Sequence, residues 1–262
     1  MKKTLFLFLL LGMTIACSQD ANVPQVVAHR GYWKAEGAAQ NSIASLQAAG
    51  RIGAYGSEFD VNLTADGQMV VNHDFTYKGL TIRESTLETL RCDTLRLANG
   101  EIIPTLDEYL EASKAYPGMK LVFELKSPGD ADYEAGALPA TVEAIRRAGV
   151  EKRIEFISFS LTACQEFARL MPRNKVEYLG GDRTPAELHE MGINGIDYHY
   201  SAFDKHPEWV KEAHDLGMLV NVWTVDKEED IVRMLDLGVD QVTTNEPGLV
   251  QRLIAGRETA KR

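Results

Sequence analysis

The feature that most constrains this chain is an alternation of eight short apolar runs with amphipathic, helix-punctuated segments. The runs are QVVAHR (25–30), GSEFDV (56–61), KLVFELK (120–126), IEFISF (154–159), KVEYLG (175–180), GIDYHY (195–200), LVNVWTV (219–225) and DQVTTN (240–245). Each has strand length and strand composition. Between them, Thr105 followed by Glu108, Thr184 followed by Pro185 and Glu187, and Asp226 followed by Glu229 read as helix N-caps. Gly149, Gly192, Gly217 and Gly238 fall where helices should stop. Strands alternating with helices imply parallel pairing, and eight such units in about 250 residues are the arithmetic of a (β/α)8 TIM barrel of the α/β class. A doubly wound open sheet is the competing architecture. One domain over residues 24–256 accounts for the pattern. The one interruption follows the second strand, where MVVNHD (69–74) reads as an extra short strand and residues 75–104 as an insertion.

Residues 1–16, ahead of Cys17, have two lysines, an apolar stretch and then small residues, the layout of a secretory signal of the lipoprotein type. The stretch is too short to span a bilayer. Lipidation of Cys17 would tether the protein outside the cytoplasm, so its only expected membrane contact is the anchor. Thr14 is an unusual residue three places ahead of that cysteine. Cys92 and Cys164, 72 residues apart, show no metal-like spacing and read as unpaired core residues, although the compartment permits a disulfide. Without Lys2 and Lys3 the 28 basic residues fall to 26 against 38 acidic, a formal charge of −12. Such a surface repels nucleic acid and anionic headgroups, so any phosphate site must be locally positive.

Barrels of this kind carry their working groups at the C-terminal ends of the strands. His29 and Arg30 end the first strand, and Gly31 permits a turn and the close approach of a ligand. Side chains alternate along a strand, so Glu58 and Asp60 share a face and Phe59 takes the other. Glu124 and Lys126 repeat the pattern on the third strand. Three carboxylates crowded at a low-dielectric mouth need a cation, and an all-oxygen set favours Mg²⁺ or Ca²⁺ over zinc, with His29 or His73 as a possible extra ligand. The alternative is that each acid forms a buried salt bridge with Arg30 or Lys126. His73, ending the extra strand beside Asp74, would give a second imidazole near His29 and hence an acid and base pair. His189, His199, His206 and His214 read as surface or packing residues, with His199 able to line the mouth. Trp223, ending the seventh strand, is either core or the apolar wall of a ligand site.

The ordered set HRG (29–31), EFD (58–60), HD (73–74), ELK (124–126), WTV (223–225) and TNEP (244–247) resembles the glycerophosphodiester phosphodiesterase family over essentially the whole mature chain. The resemblance implies a (β/α)8 barrel in which Glu58, Asp60 and Glu124 hold a divalent ion and His29 and His73 act as acid and base. Arg30 and Lys126 would contact phosphate, with Trp223 beside the substrate. It implies hydrolysis of deacylated phospholipids to glycerol 3-phosphate and an alcohol, with the glycerol hydroxyl attacking first to give a cyclic phosphate that water opens. Two departures stand out. Where the family has Pro-Glu-Asn-Thr, this chain has Ala39, Gln40, Asn41 and Ser42, losing a carboxylate near His29, and the family's Thr-Asp is here Thr244 and Asn245. Two other functions are consistent with the same residues. One is a phospholipase D-like hydrolase of lyso-lipids, which an exposed apolar rim of Tyr77, Leu80 and Ile82 would favour. The other is a non-catalytic phosphodiester-binding lipoprotein, motivated by Gln40.

Overall fold

The computed structural model describes residues 23–260, so the leader and Cys17 lie outside the described residues. Among the described residues eleven strands occur in chain order: β1 Gln25–Ala28, β2 Gly56–Leu63, β3 Met69–Val71, β4 Thr76–Tyr77, β5 Leu80–Thr81, β6 Lys120–Leu125, β7 Ile154–Ser158, β8 Lys175–Tyr178, β9 Gly195–His199, β10 Leu219–Trp223 and β11 Gln241–Thr244. Eight of them, β1, β2 and β6 through β11, pair in parallel with their neighbours. Because β1 pairs with both β2 and β11, the sheet closes into a barrel and the open-sheet alternative is excluded. These eight strands fall on the eight apolar runs.

Strand alternation sorts the side chains into two populations. Phe59, Phe123 and Phe156 are buried between strands and helices, with Phe156 stacked at 4.2 Å on Phe167 of helix Leu161–Leu170. Full burial of such a side chain contributes about 1.5–3 kcal/mol. The opposite face of the same strands lines the barrel, where Val27, Val122, Ile157 and Leu179 form an inner apolar layer beneath the mouth. The caps expected at Thr105 and Thr184 are both complete capping boxes. Asp226 is a correction: the helix Glu228–Leu237 begins at Lys227 without a side-chain cap, and the Asp226 carboxylate is spent elsewhere.

The segment after β3 is more than an excursion. The hairpin β4–β5 and the short helix Leu87–Leu90 bury Tyr77, Ile82, Leu90 and Ile103 in a small core of their own. Tyr77 and Ile82 are only 4% and 1% exposed, so they do not supply the apolar rim that the lyso-lipid reading needs. Glu101 returns from this segment to accept the backbone N–H groups of Ile43 and Ala44 at 3.0 and 3.2 Å. These are orphan donors at the start of helix Ile43–Arg51, which an acid stabilises. Both described cysteines are unpaired: Cys164 is in the core as expected, whereas Cys92 is exposed.

Candidate active site

The mouth is assembled from strand ends. Arg30 has a left-handed backbone, φ 54°, and its own N–H donates to Glu58 Oε2 at 2.7 Å. Gly31, φ 72°, is needed because a Cβ there would lie 2.4 Å from Ser45 Oγ, so what approaches this glycine is the first helix and not a ligand. The Arg30 guanidinium donates to Gln40 Oε1 at 2.7 Å and stands 3.7 Å from Asp60 Oδ2. Gln40 therefore keeps an acceptor for Arg30 without the charge of a glutamate. Asn41 donates to Asp60 Oδ2 at 2.9 Å and accepts the Asp60 N–H at 3.2 Å, fixing that carboxylate.

Glu58, Asp60 and Glu124 bring one oxygen each to within 4.8 Å of one another, all buried. Lys126 Nζ lies 2.7 Å from Glu124 Oε1 and 3.5 Å from Asp60 Oδ1. Two cations thus face three carboxylates, and Glu58 Oε1 and Asp60 Oδ1 are buried without hydrogen-bond partners. Salt bridges alone leave the trio unsatisfied. Burial and repulsion from Asp60 and Glu124 hold Glu58 well above the usual carboxylate range. Burial and Asp60 likewise push Glu124 up to about 8, against the pull of Lys126. Asp60, despite its burial, is held below its ordinary value by Lys126, His73 and Arg30. An all-oxygen set with two orphaned buried oxygens fits a hard divalent ion, which would take the place of the protons the trio otherwise keeps.

His29 is held by a chain of contacts that the sequence did not reveal. Its Nδ1 lies 2.9 Å from Asn245 Oδ1, which also accepts Trp33 Nε1–H at 2.7 Å. Asn245 Nδ2 donates to Asp226 Oδ2 at 2.8 Å. An indole nitrogen can only donate and a carboxylate can only accept, so the amide has one allowed orientation. His29 Nδ1 therefore carries hydrogen, and the lone pair of the neutral ring is on Nε2. Burial, then the Arg30 charge, lowers the His29 pKa to about 4 against the opposing effects of Asn245 and Asp60, which keeps the ring neutral. His73 is more exposed, its Nδ1 2.7 Å from Asp74 Oδ1.

Both histidines line one cavity of about 110 Å³ together with Glu58, Glu124, Lys126 and Trp223. Asp60 and Arg30 are not among its lining residues. Trp223 is fixed by donating Nε1–H to the Asp197 carbonyl at 3.0 Å and meets Phe159 edge to face at 6.0 Å. Asp197 also faces the cavity, its Oδ1 buried without a partner. Burial, then Glu124, raises the Asp197 pKa well above its ordinary value. Of the remaining histidines, His189 and His214 lie on helices as expected, and His199 lines the adjoining cleft. Asn245, Asp226, Trp33 and Asp197 are the functional candidates that sequence reasoning missed.

Residues 29–249 match the glycerophosphoryl diester phosphodiesterase family. The chain is 30% identical over 241 residues to a glycerophosphodiester phosphodiesterase of Caldanaerobacter subterraneus subsp. tengcongensis, an alignment covering 87% of this chain and 97% of that one. A glycerophosphodiester phosphodiesterase of Parabacteroides distasonis, known from its crystal structure, shares 46% identity with a TM-score of 0.88, covering 90% of this chain and 99% of that one. A phosphodiesterase of Oleispira antarctica, solved in complex with the product sn-glycerol-3-phosphate, is 28% identical with a TM-score of 0.75, over 89% of this chain and 97% of that one.

Proposed function

The chain belongs to the glycerophosphoryl diester phosphodiesterase family, and on that premise we propose that it is a divalent-metal-dependent enzyme hydrolysing glycerophosphodiesters to glycerol 3-phosphate and an alcohol. One observation carries the reading: three buried carboxylates whose oxygens lie within 4.8 Å of one another stand at a cavity lined by two histidines. The product bound by the Oleispira relative supports the substrate class.

A phosphodiester resists hydrolysis because its anionic oxygens repel nucleophiles and its alkoxide leaves poorly. When bound by Glu58, Asp60 and Glu124, Mg²⁺ or Ca²⁺ supplies Lewis-acid neutralisation of that charge. Arg30 and Lys126 add fixed positive charge for the non-bridging oxygens. His29, neutral and with Nδ1–H committed to Asn245, has the Nε2 lone pair to take the proton of the attacking hydroxyl, whether of glycerol or of water. His73 gives a proton to the departing alkoxide. The first displacement leaves His29 charged and His73 neutral; when water opens a cyclic phosphate the two exchange roles and both are restored, and after direct attack by water proton exchange with solvent restores them. Trp223 is an apolar wall that excludes water beside the reacting centre.

The leader supports a further part of the proposal, that Cys17 is lipidated and the enzyme works outside the cytoplasm on small diesters, held to the membrane only by its anchor. The test of the function is release of glycerol 3-phosphate from a panel of glycerophosphodiesters. Turnover that stops in chelator and returns with Mg²⁺ or Ca²⁺ is the expected result. No release from any diester, or full activity in excess chelator, would overturn it.

A further inference from the structure

The catalytic cavity, at about 110 Å³, is smaller than the roughly 300 Å³ at the low end of ligand pockets, so a whole diester must extend beyond it. A second cleft of about 360 Å³ shares Phe159, Leu179 and Trp223 with it. Across that common wall the cleft presents His199, Ser201 and Lys205, and no carboxylate lines it among the described residues. Lys205, exposed at the end of helix Tyr200–Lys205, makes no ion pair with any described residue. The wall is aromatic, with the Phe159 ring 49% exposed.

Aromatic walls beside a phosphate site can serve a quaternary ammonium, but here the chemistry points the other way. Lys126 Nζ already stands 5.9 Å from the centre of the Phe159 ring, so one of the two electron-rich faces that would attract a cation is occupied by one. A cationic alcohol entering the cleft would meet Lys205, which no carboxylate among the cleft's lining residues offsets, while at the other end Glu124 and Asp60 are already engaged by Lys126. A polyol meets the opposite conditions. Its hydroxyl oxygens accept from the Lys205 ammonium and from His199 Nε2–H, its hydroxyl hydrogens can be given to Ser201 Oγ, whose own hydrogen goes to His199 Nδ1 at 2.8 Å, and its C–H face rests on exposed aromatic carbon. We infer that the cleft bounded by Phe159, His199 and Lys205 receives the alcohol portion of the diester and selects uncharged polyols, of the glycerol and inositol type, over choline and ethanolamine.

The inference rests on the phosphodiesterase reading above and deepens it. The experiment compares kcat/KM of the metal-loaded enzyme on glycerophosphoinositol, glycerophosphoglycerol, glycerophosphocholine and glycerophosphoethanolamine, in the native chain and in Lys205→Met and Lys205→Glu. A hydrogen bond to a charged group is worth roughly tenfold or more, so the native enzyme should favour the polyol diesters by at least about tenfold. Lys205→Met should remove most of that advantage by lowering the polyol values and, with the repulsion gone, raising the choline and ethanolamine values. Lys205→Glu should raise the choline and ethanolamine values. Because Lys205 is exposed and outside the reacting centre, neither variant should alter folding, which a thermal melt checks. Hydrolysis of all four diesters at similar rates, or an equal effect of Lys205→Met on all four, overturns the headgroup assignment and leaves the phosphodiesterase reading standing. Hydrolysis of none overturns both.

Discussion

Removing metal should make this protein less stable as the pH rises, and Glu124 sets the size of the effect. In the metal-free fold Glu124 holds its proton up to about 8, whereas in the unfolded chain it releases it near 4.5. Between those values the native state binds a proton that the unfolded state has lost, so unfolding becomes more favourable with each step up in pH. At about 1.4 kcal/mol for each pH unit, the rise from 4.5 to about 8 amounts to a loss of up to about 5 kcal/mol. Glu58, raised by the same burial and crowding, acts in the same direction. Since domains are stable by only about 5–15 kcal/mol, and 1 kcal/mol moves the midpoint of a domain this size by about 2–4 °C, the Glu124 contribution alone is on the order of 10–20 °C. A divalent ion takes the place of the retained protons and binds only the native state, adding about 2.7 kcal/mol at a hundred times its Kd. The assay is a series of thermal melts from pH 5 to 8.5, in chelator and in saturating Mg²⁺ or Ca²⁺, on the native chain and on Glu124→Gln. Gln keeps an acceptor for Lys126 and removes the titrating group, so the difference between the two proteins reads Glu124 together with the upward shifts its charge imposes on Glu58 and Asp197. In chelator the native melting point should fall with pH and that of Glu124→Gln should fall much less; metal should raise the first strongly and the second weakly. A pH slope unchanged by Glu124→Gln, or identical melts with and without metal at pH 8, would refute the reasoning.

Three further expectations follow from the same geometry. His29→Ala and His73→Ala should each lower turnover on a natural diester by on the order of 10²-fold to 10⁴-fold. On a nitrophenyl ester, whose leaving group needs no proton, only His73→Ala should recover, and recovery of His29→Ala instead would reverse the two roles. Asn245→Leu should lower kcat on the order of 10²-fold with little change in KM and lose the Nδ1–H tautomer of His29 by ¹⁵N NMR, while the exchanged pair Asp226→Asn with Asn245→Asp should recover most of the rate; an unaltered tautomer in Asn245→Leu would remove Asn245 from the mechanism. Cys17→Ala should move the protein from the membrane to the soluble extracytoplasmic fraction with catalysis intact, and a variant that stays membrane-bound after correct cleavage would put the anchor elsewhere.

Much of the barrel was legible because its rules are local. A run such as LVNVWTV declares a strand by its composition, and Glu58-Phe59-Asp60 declares which two side chains share a face by the period of two alone. The candidate metal and acid and base residues were legible for a related reason: the chemistry demands particular residue types, and few positions near strand ends offer them. Gly31 was legible as a special position, but not what occupies the space its missing Cβ leaves, because Ser45 reaches it through the packing of the first helix.

What stayed hidden is the set of residues that aim the working groups, and Asp226 shows why. Followed three places later by Glu229, it carries the local signature of a helix cap, and nothing within a turn of it argues otherwise. Its actual partners are Thr244 and Asn245, 18 and 19 residues on, and through Asn245 it acts on His29, which is 216 residues from that asparagine. The link exists only because β1 and β11 pair to close the barrel, with the His29 N–H continuing their ladder onto the Thr244 carbonyl at 3.0 Å. In an open sheet the first strand end would have no last strand beside it. Closure therefore does more than bury the edges of the sheet: it places the support for the side chain that follows β1 at the opposite end of the chain, where a TN dipeptide at the end of the final strand reads as a mild departure until its amide is seen holding the histidine.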